Sequence, residues 1–129
     1  MVLDSSALVA ILKEEPNYQT LLGKIDEADA ILIGAPTLVE TAIVLSRQTG
    51  KDQRPFLEAF VRRIDAQVID FTEHHYYLAA DALIRYGRGF NSQSNLNYGD
   101  CLVYAVAALA GDTLLFVGDD FTHTDIAAA

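Results

Sequence analysis

Val2-Leu3-Asp4-Ser5-Ser6-Ala7-Leu8-Val9-Ala10-Ile11-Leu12-Lys13 opens the chain with two elements and a junction. Val2-Leu3 is an apolar pair that reads as a short buried strand ending at Asp4. From Ser6 to Lys13, the residues Leu8, Ile11 and Leu12 fall on one helical face. A carboxylate therefore stands where a strand hands over to a helix.

The same pattern recurs downstream. Pro16 fits the opening of a helix from Asn17 to about Asp26. Ala30–Ile33 is a second apolar strand closed by Gly34, and Thr37–Gln48 is a helix stopped by Gly50. Arg54–Ile64 is another helix, with Phe56, Phe60 and Ile64 inward. Gln67–Asp70 reads as a third strand, followed by a helix over Thr72–Arg85 that ends at Gly87. The polar, Gly/Asn/Ser-rich stretch Gly87–Asn97 is a loop. Asp100–Ala110 is a very apolar, central helix. Leu114–Val117 is the last strand, and Gly118 to Thr124 turns away from it.

Short apolar strands alternating with helices predict an α/β domain: a central parallel β-sheet flanked by helices on both faces. The 129 residues, 51% of them hydrophobic, suit one domain spanning 1–129. Ligands of such folds bind at the carboxyl ends of strands, near a topological switch point. Asp4 and Asp119 directly follow strands 1 and 4. Glu40 lies in the first turn after strand 2, and Asp100 in the first turn of the helix before strand 4. All four acids can share one edge of the sheet.

Each acid also has a local reading. Asp4 can cap the first helix. Glu40 completes the capping-box pattern Thr37-x-x-Glu40. Asp100, three residues after Asn97, favours the helix dipole. Gly118-Asp119-Asp120 is a turn signal. Asp119 best continues the exit of the strand, with Asp120 as the alternative fourth acid, and Asp125 is placed to cap or pair locally. Taken together, the four acids read as a cluster of hard oxygen ligands suited to Mg²⁺ or Mn²⁺. Such a cluster is costly without a cation, because like charges in a cleft repel.

Composition sets limits. The net charge is −9, which argues against a generic nucleic-acid coat. Seven of the nine Lys and Arg residues fall between Arg47 and Arg88, either as a local basic surface or as solvated helix faces. Cys101 is the only cysteine, so there is neither an intrachain disulfide nor a Cys-based zinc site. Apolar runs such as Leu102–Ala110 are too short to span a bilayer, and no basic leader precedes Val2. These features predict a cytoplasmic protein. His74 and His75 are adjacent in a helix and make poor joint ligands. His123 and Cys101 read as surface and packing residues, and Tyr76, Tyr77 and Tyr86 as core or interface.

Four motifs in order carry a family resemblance. They are Val2-Leu3-Asp4-Ser5-Ser6-Ala7, then Pro36-Thr37-Leu38-Val39-Glu40, then Asn97-Tyr98-Gly99-Asp100-Cys101. The last is Leu114-Leu115-Phe116-Val117-Gly118-Asp119-Asp120-Phe121 with Thr124-Asp125-Ile126. End to end, the chain resembles PIN-domain ribonucleases, and more narrowly VapC-type toxins of type II toxin–antitoxin systems. The resemblance implies a PIN fold and Mg²⁺- or Mn²⁺-dependent endoribonuclease activity, with Asp4, Glu40, Asp100 and Asp119 in the acidic positions. Ser6 would support the site through its hydroxyl. Metal-activated water would attack phosphorus in line, leaving a 5′-phosphate and a 3′-hydroxyl. A homodimer, a cognate antitoxin and an RNA substrate are implied as well. Arg88, Phe90, Asn91, Ser92, Gln93, Ser94 and Asn95 have the chemistry to read single-stranded RNA.

Two other classes share some of these features. A receiver-like Mg²⁺-binding signalling module wants its paired acids early and a Lys after a late strand. Here the paired acids come last and no Lys follows Lys51. A phosphohydrolase with an Asp nucleophile wants a second Asp two residues after Asp4, where Ser6 stands.

Overall fold

The computed structural model describes residues 1–90 and 93–129. The elements run β1 (Val2–Leu3), α1 (Ser5–Leu12), α2 (Tyr18–Asp26), β2 (Leu32–Gly34) and α3 (Ala35–Thr49). They continue with α4 (Arg54–Arg63), β3 (Gln67–Ile69), α5 (Glu73–Tyr86), α6 (Tyr98–Ala110) and β4 (Leu114–Leu115). All strand pairs are parallel, in the order β3-β2-β1-β4. The chain winds outward from β1 through β2 to β3, then returns to add β4 on β1's other side. The switch point therefore lies between β1 and β4, where the acids Asp4 and Asp119-Asp120 emerge.

Period-two alternation distributes the strand side chains. Val2, Leu32 and Leu114 face a core built with α5 and α6, which includes Ala79, Ala82, Val103 and Val106. Leu3, Ile31, Ile33 and Leu115 face the opposite core with Leu8, Ile11, Ile25 and Phe60 from α1, α2 and α4. The helices thus cover both faces of the sheet, as the alternating pattern predicts. Among the described residues, no helix is long and apolar enough to cross a membrane.

Three boundaries differ from the sequence reading, each for a physical reason. Strand β4 stops at Leu115, not Val117. Its partner β1 turns into α1 at Asp4, so the ladder runs out, and the Val117 N–H donates to Ser6 Oγ instead, at 2.9 Å. Helix α3 begins at Ala35, with Gly34 as its N-cap and proline in its first turn. Glu40 therefore sits in the second turn and takes no part in a capping box; Thr37 is buried and its carbonyl accepts from Thr41 Oγ1 at 2.7 Å. The polar stretch before α6 is also less loose than its composition suggests. Leu96 is fully buried, and its N–H and C=O pair with Tyr86 O and Arg88 N. Asn91 and Ser92 of that stretch lie outside the described residues.

Candidate active site

Asp4 caps the first helix and stands at the switch point of the sheet. Its side chain accepts from the Ser6 N–H at 3.0 Å, which fixes the start of α1, and from the Ser6 hydroxyl. It is only 5% exposed, and burial raises its pKa above the usual carboxylate value despite those hydrogen bonds. The charge of Asp120 also raises it, by less. Ser6 Oγ thus donates to Asp4 and accepts from Val117, tying the end of β1 to the end of β4. Ser6→Ala should cost about 0.5–1.5 kcal/mol, since it removes a hydrogen bond to Asp4 while water can reach the exposed Val117 N–H. An unchanged urea midpoint would show that water replaces the hydroxyl at no cost.

Asp100 occupies the third position of α6 in a reciprocal capping box. Its carboxylate accepts from the Asn97 N–H at 2.7 Å, while Asn97 Oδ1 accepts from the Asp100 N–H at 3.0 Å. The helix behind it is the most enclosed in the molecule, with Cys101, Val103, Tyr104, Ala105, Val106 and Ala107 all buried. Burial pushes the Asp100 carboxyl up to about 6. The charges of Asp4, Asp120 and Glu40 add to the rise, against the opposing hydrogen bond from Asn97.

Glu40 reaches the cluster from α3. Its pKa is raised by burial first and then by the charge of Asp4, against a hydrogen bond from the Ser5 side chain. Gly99, beside Asp100, makes room for it: a Cβ there would stand 2.8 Å from Glu40 Oε1 and 2.9 Å from Oε2. Gly99→Ala is expected to keep or raise the melting temperature, because alanine gains up to about 1 kcal/mol over glycine in a helix. The displaced Glu40 carboxylate should lower turnover about tenfold or more. A parallel fall in melting temperature would instead point to general damage.

The fourth position falls in the turn after β4, where Asp119 and Asp120 compete for it. Strand-exit continuity favours Asp119, yet the charge felt by both Asp4 and Asp100 is that of Asp120. Gly118, at φ +102°, turns the chain so sharply that strand alternation does not carry through to the acids. The Asp119 carbonyl then closes the turn, accepting from Thr122 N and Oγ1. Ser5, Gly99 and the Val117 N–H are participants that sequence patterning missed. Ser5 sits next to a recognised motif residue, but nothing local pairs it with Glu40.

The other residues weighed in the sequence are not drawn into this cluster. His75 is buried, stacked on Phe71 at 5.1 Å, and its Nδ1 accepts from Thr72 N at 3.1 Å. Cys101 is buried, while His123, Tyr76 and Tyr77 are exposed. The Arg47–Arg88 cations are exposed, but Arg54 pairs with Asp52, and Arg85 with Asp81 and Asp125. Among the described residues, no three His, Cys, Asp or Glu side chains converge tightly enough to hold a metal ion as they stand. Asp4 and Asp100 each engage one carboxylate oxygen, Oδ2, with Ser6 and Asn97.

A four-stranded parallel sheet with acids from β1, α3, α6 and the turn after β4 is the plan of a PIN domain. The PIN domain family matches residues 1–127, and the chain belongs to that family. Ribonuclease VapC of Mycolicibacterium smegmatis is 37% identical over 128 residues, covering 99% of this chain and 98% of that protein. Among solved structures, Mycobacterium tuberculosis VapC20, described as a toxin that cleaves the sarcin-ricin loop, superposes with a TM-score of 0.80 at 17% identity. That match covers 99% of this chain and 97% of VapC20. Rickettsia felis VapBC2, solved bound to a DNA fragment from its promoter, gives a TM-score of 0.74 at 18% identity, covering 99% and 96%. Family membership sets aside the receiver and phosphohydrolase readings.

Proposed function

We propose that this chain is a Mg²⁺- or Mn²⁺-dependent endoribonuclease, the toxin of a type II toxin–antitoxin pair. The observation that carries the proposal is the placement of Asp4, Glu40, Asp100 and the Asp119-Asp120 pair around the sheet's switch point in a chain of the PIN family. That arrangement is unfavourable for a bare protein and favourable once a divalent cation neutralises it. The donor set is all carboxylate oxygen, as a hard cation requires, and the room left by Gly99 lets a long carboxylate enter from α3.

Asp4 and Asp100 would hold the ion, with Glu40 and Asp120 (Asp119 in the alternative assignment) ligating or binding through water. The bound ion would supply Lewis-acid polarisation of a phosphate oxygen and a lowered pKa for water. The protein's own residues do the positioning. Ser6 orients Asp4, and the Asn97 cap orients Asp100. Flanking phosphates and bases would meet Arg88, Phe90, Gln93 and Asn95, all exposed.

The partners proposed are RNA, a cognate antitoxin and a second copy of the chain, in the cytoplasm. Supporting the homodimer is an apolar face shared by α3, α5 and α6. There Val39 is 61% exposed, Tyr76 58% and Tyr98 79%, beside two clefts that both include Tyr98 and Leu102.

The test incubates antitoxin-free protein with total RNA in Mg²⁺, Mn²⁺ or EDTA and maps the ends. Discrete metal-dependent cuts bearing 5′-phosphates are expected. A folded protein that cuts nothing under any of these conditions would overturn the proposal.

A further inference from the structure

The segment after β4 carries the acid whose charge bears on Asp4 and Asp100, and this segment has little regular structure of its own. Its far end pairs with β4, where Leu114 N–H donates to Ala127 O and Ala129 N–H to Leu114 O, and before that it is held at three places. Val117 N–H reaches back to Ser6. Phe121, 2% exposed, packs into the α5–α6 core with its ring 5.1 Å from that of Phe116. Beyond Phe121 the chain makes one more turn, in which the Phe121 carbonyl accepts from Thr124 N and Oγ1.

The third anchor is Asp125. Its Oδ1 accepts from the Tyr104 hydroxyl at 2.7 Å, and its Oδ2 accepts from Arg85 Nη2 at 2.9 Å. These partners lie 21 and 40 residues away, so Asp125 does not pair locally as its turn-rich setting suggests. Tyr104 stands one turn after Asp100 on α6. Arg85 ends α5, where it is braced by Asp81 at 3.3 Å and by the Tyr86 hydroxyl. The Tyr86 and Tyr104 rings meet at 5.7 Å, which steadies the two donors against each other. The carboxylate itself is 54% exposed and Arg85 44%. An ion pair so open to water adds little stability, but a two-point grip fixes direction.

We propose that Asp125 is a positioning residue for the active site: by gripping Tyr104 and Arg85 it latches the acidic turn to the helix that carries Asp100. The spacing of Asp120 from Asp100, and with it the affinity for a divalent cation, then depends on a side chain that touches neither ion nor RNA. This inference rests on the metal-site reading of the preceding section. Outer-shell residues of metal sites change affinity by about 10- to 100-fold when removed, and Asp125 belongs in the lower part of that range.

The experiment titrates Mn²⁺ into the full chain by calorimetry, with melting curves recorded in EDTA. It compares wild type with Asp125→Ala, Asp125→Asn and Tyr104→Phe. Asp125→Ala should bind Mn²⁺ about tenfold more weakly, with a metal-free melting temperature close to wild type. Asp125→Asn keeps an acceptor for Tyr104 and should recover most of the affinity. Tyr104→Phe keeps the ring in its core position and loses one hydrogen bond, so it should fall between the two. It also preserves the test if Asp125→Ala fails to fold. Wild-type affinity in both Asp125→Ala and Tyr104→Phe would overturn the latch while leaving the metal site intact. A wild-type chain that binds no Mn²⁺ would overturn the metal site and the latch together.

Discussion

Asp100→Asn is expected to abolish metal-dependent cleavage while making the metal-free protein more stable. The variant keeps the structural half of the residue's work, since Asn Oδ1 can still accept from the Asn97 N–H and preserve the cap. It removes the charge that burial and three neighbouring acids oppose. Asp100 is only half-buried, so solvent screening reduces the gain to roughly 1 kcal/mol at neutral pH. In a domain of this size that is a rise of about 2–5 °C in melting temperature. Turnover should fall about a hundredfold to a thousandfold, the range for losing one electrostatic stabiliser of a transition state. Melting in EDTA and single-turnover cleavage, run on one preparation, check both halves. A variant that is less stable and less active would show Asp100 to be structural first.

Cation binding should abolish the pH dependence of stability that the buried acids cause. The folded-state pKa of Asp100 is raised from 3.8 to about 6, so between those values the folded protein binds more protons than the unfolded chain. Stability of the metal-free protein therefore falls as pH rises through that window. Asp4 and Glu40, also raised, act in the same direction. His75 acts oppositely: burial lowers its pKa, so its share of stability is lost on acidification. Subtracting the Asp100→Asn curve isolates the carboxylate. A divalent cation needs the deprotonated acids, so its affinity should drop about tenfold per pH unit below about 6 for each proton displaced. With saturating Mn²⁺ the two effects cancel, so stability should be nearly flat between about pH 4 and pH 6, where the metal-free protein declines. Parallel slopes with and without Mn²⁺ would mean that these acids do not bind the ion.

Much of this was legible in the chain, and the reasons are specific. Val2-Leu3-Asp4 and Leu114–Gly118 announce strands that stop at acids, because apolar pairs bounded by turn residues have few other uses. The helices around them are read from the spacing of Leu8, Ile11 and Leu12 and from the stop at Gly50. Local pattern could not show the competition for hydrogen bonds between distant segments. The end of β4 is decided by Ser6, 111 residues away from Val117 in sequence. The start of α3 is decided by Gly34 and Pro36, which let the helix begin directly from β2, so Thr37 packs inside and caps nothing. Asp119 and Asp120 look equivalent as text. The left-handed φ of Gly118 redirects the chain just before both of them, so strand alternation does not choose between them. Asp125 was the least readable residue, since its partners are set by how α5 and α6 pack.

The strand order β3-β2-β1-β4 has a consequence for biosynthesis. β1 emerges from the ribosome well before its second neighbour, β4. Until β4 docks, β1 has an open edge, the Ser6 hydroxyl lacks its distant donor, and the acidic turn has no fixed place. A nascent chain that has reached only α6 carries Asp4, Glu40 and Asp100 without the element that completes their arrangement. An enzyme that cuts RNA would thus be assembled only once the codons for β4 and the turn after it have been read.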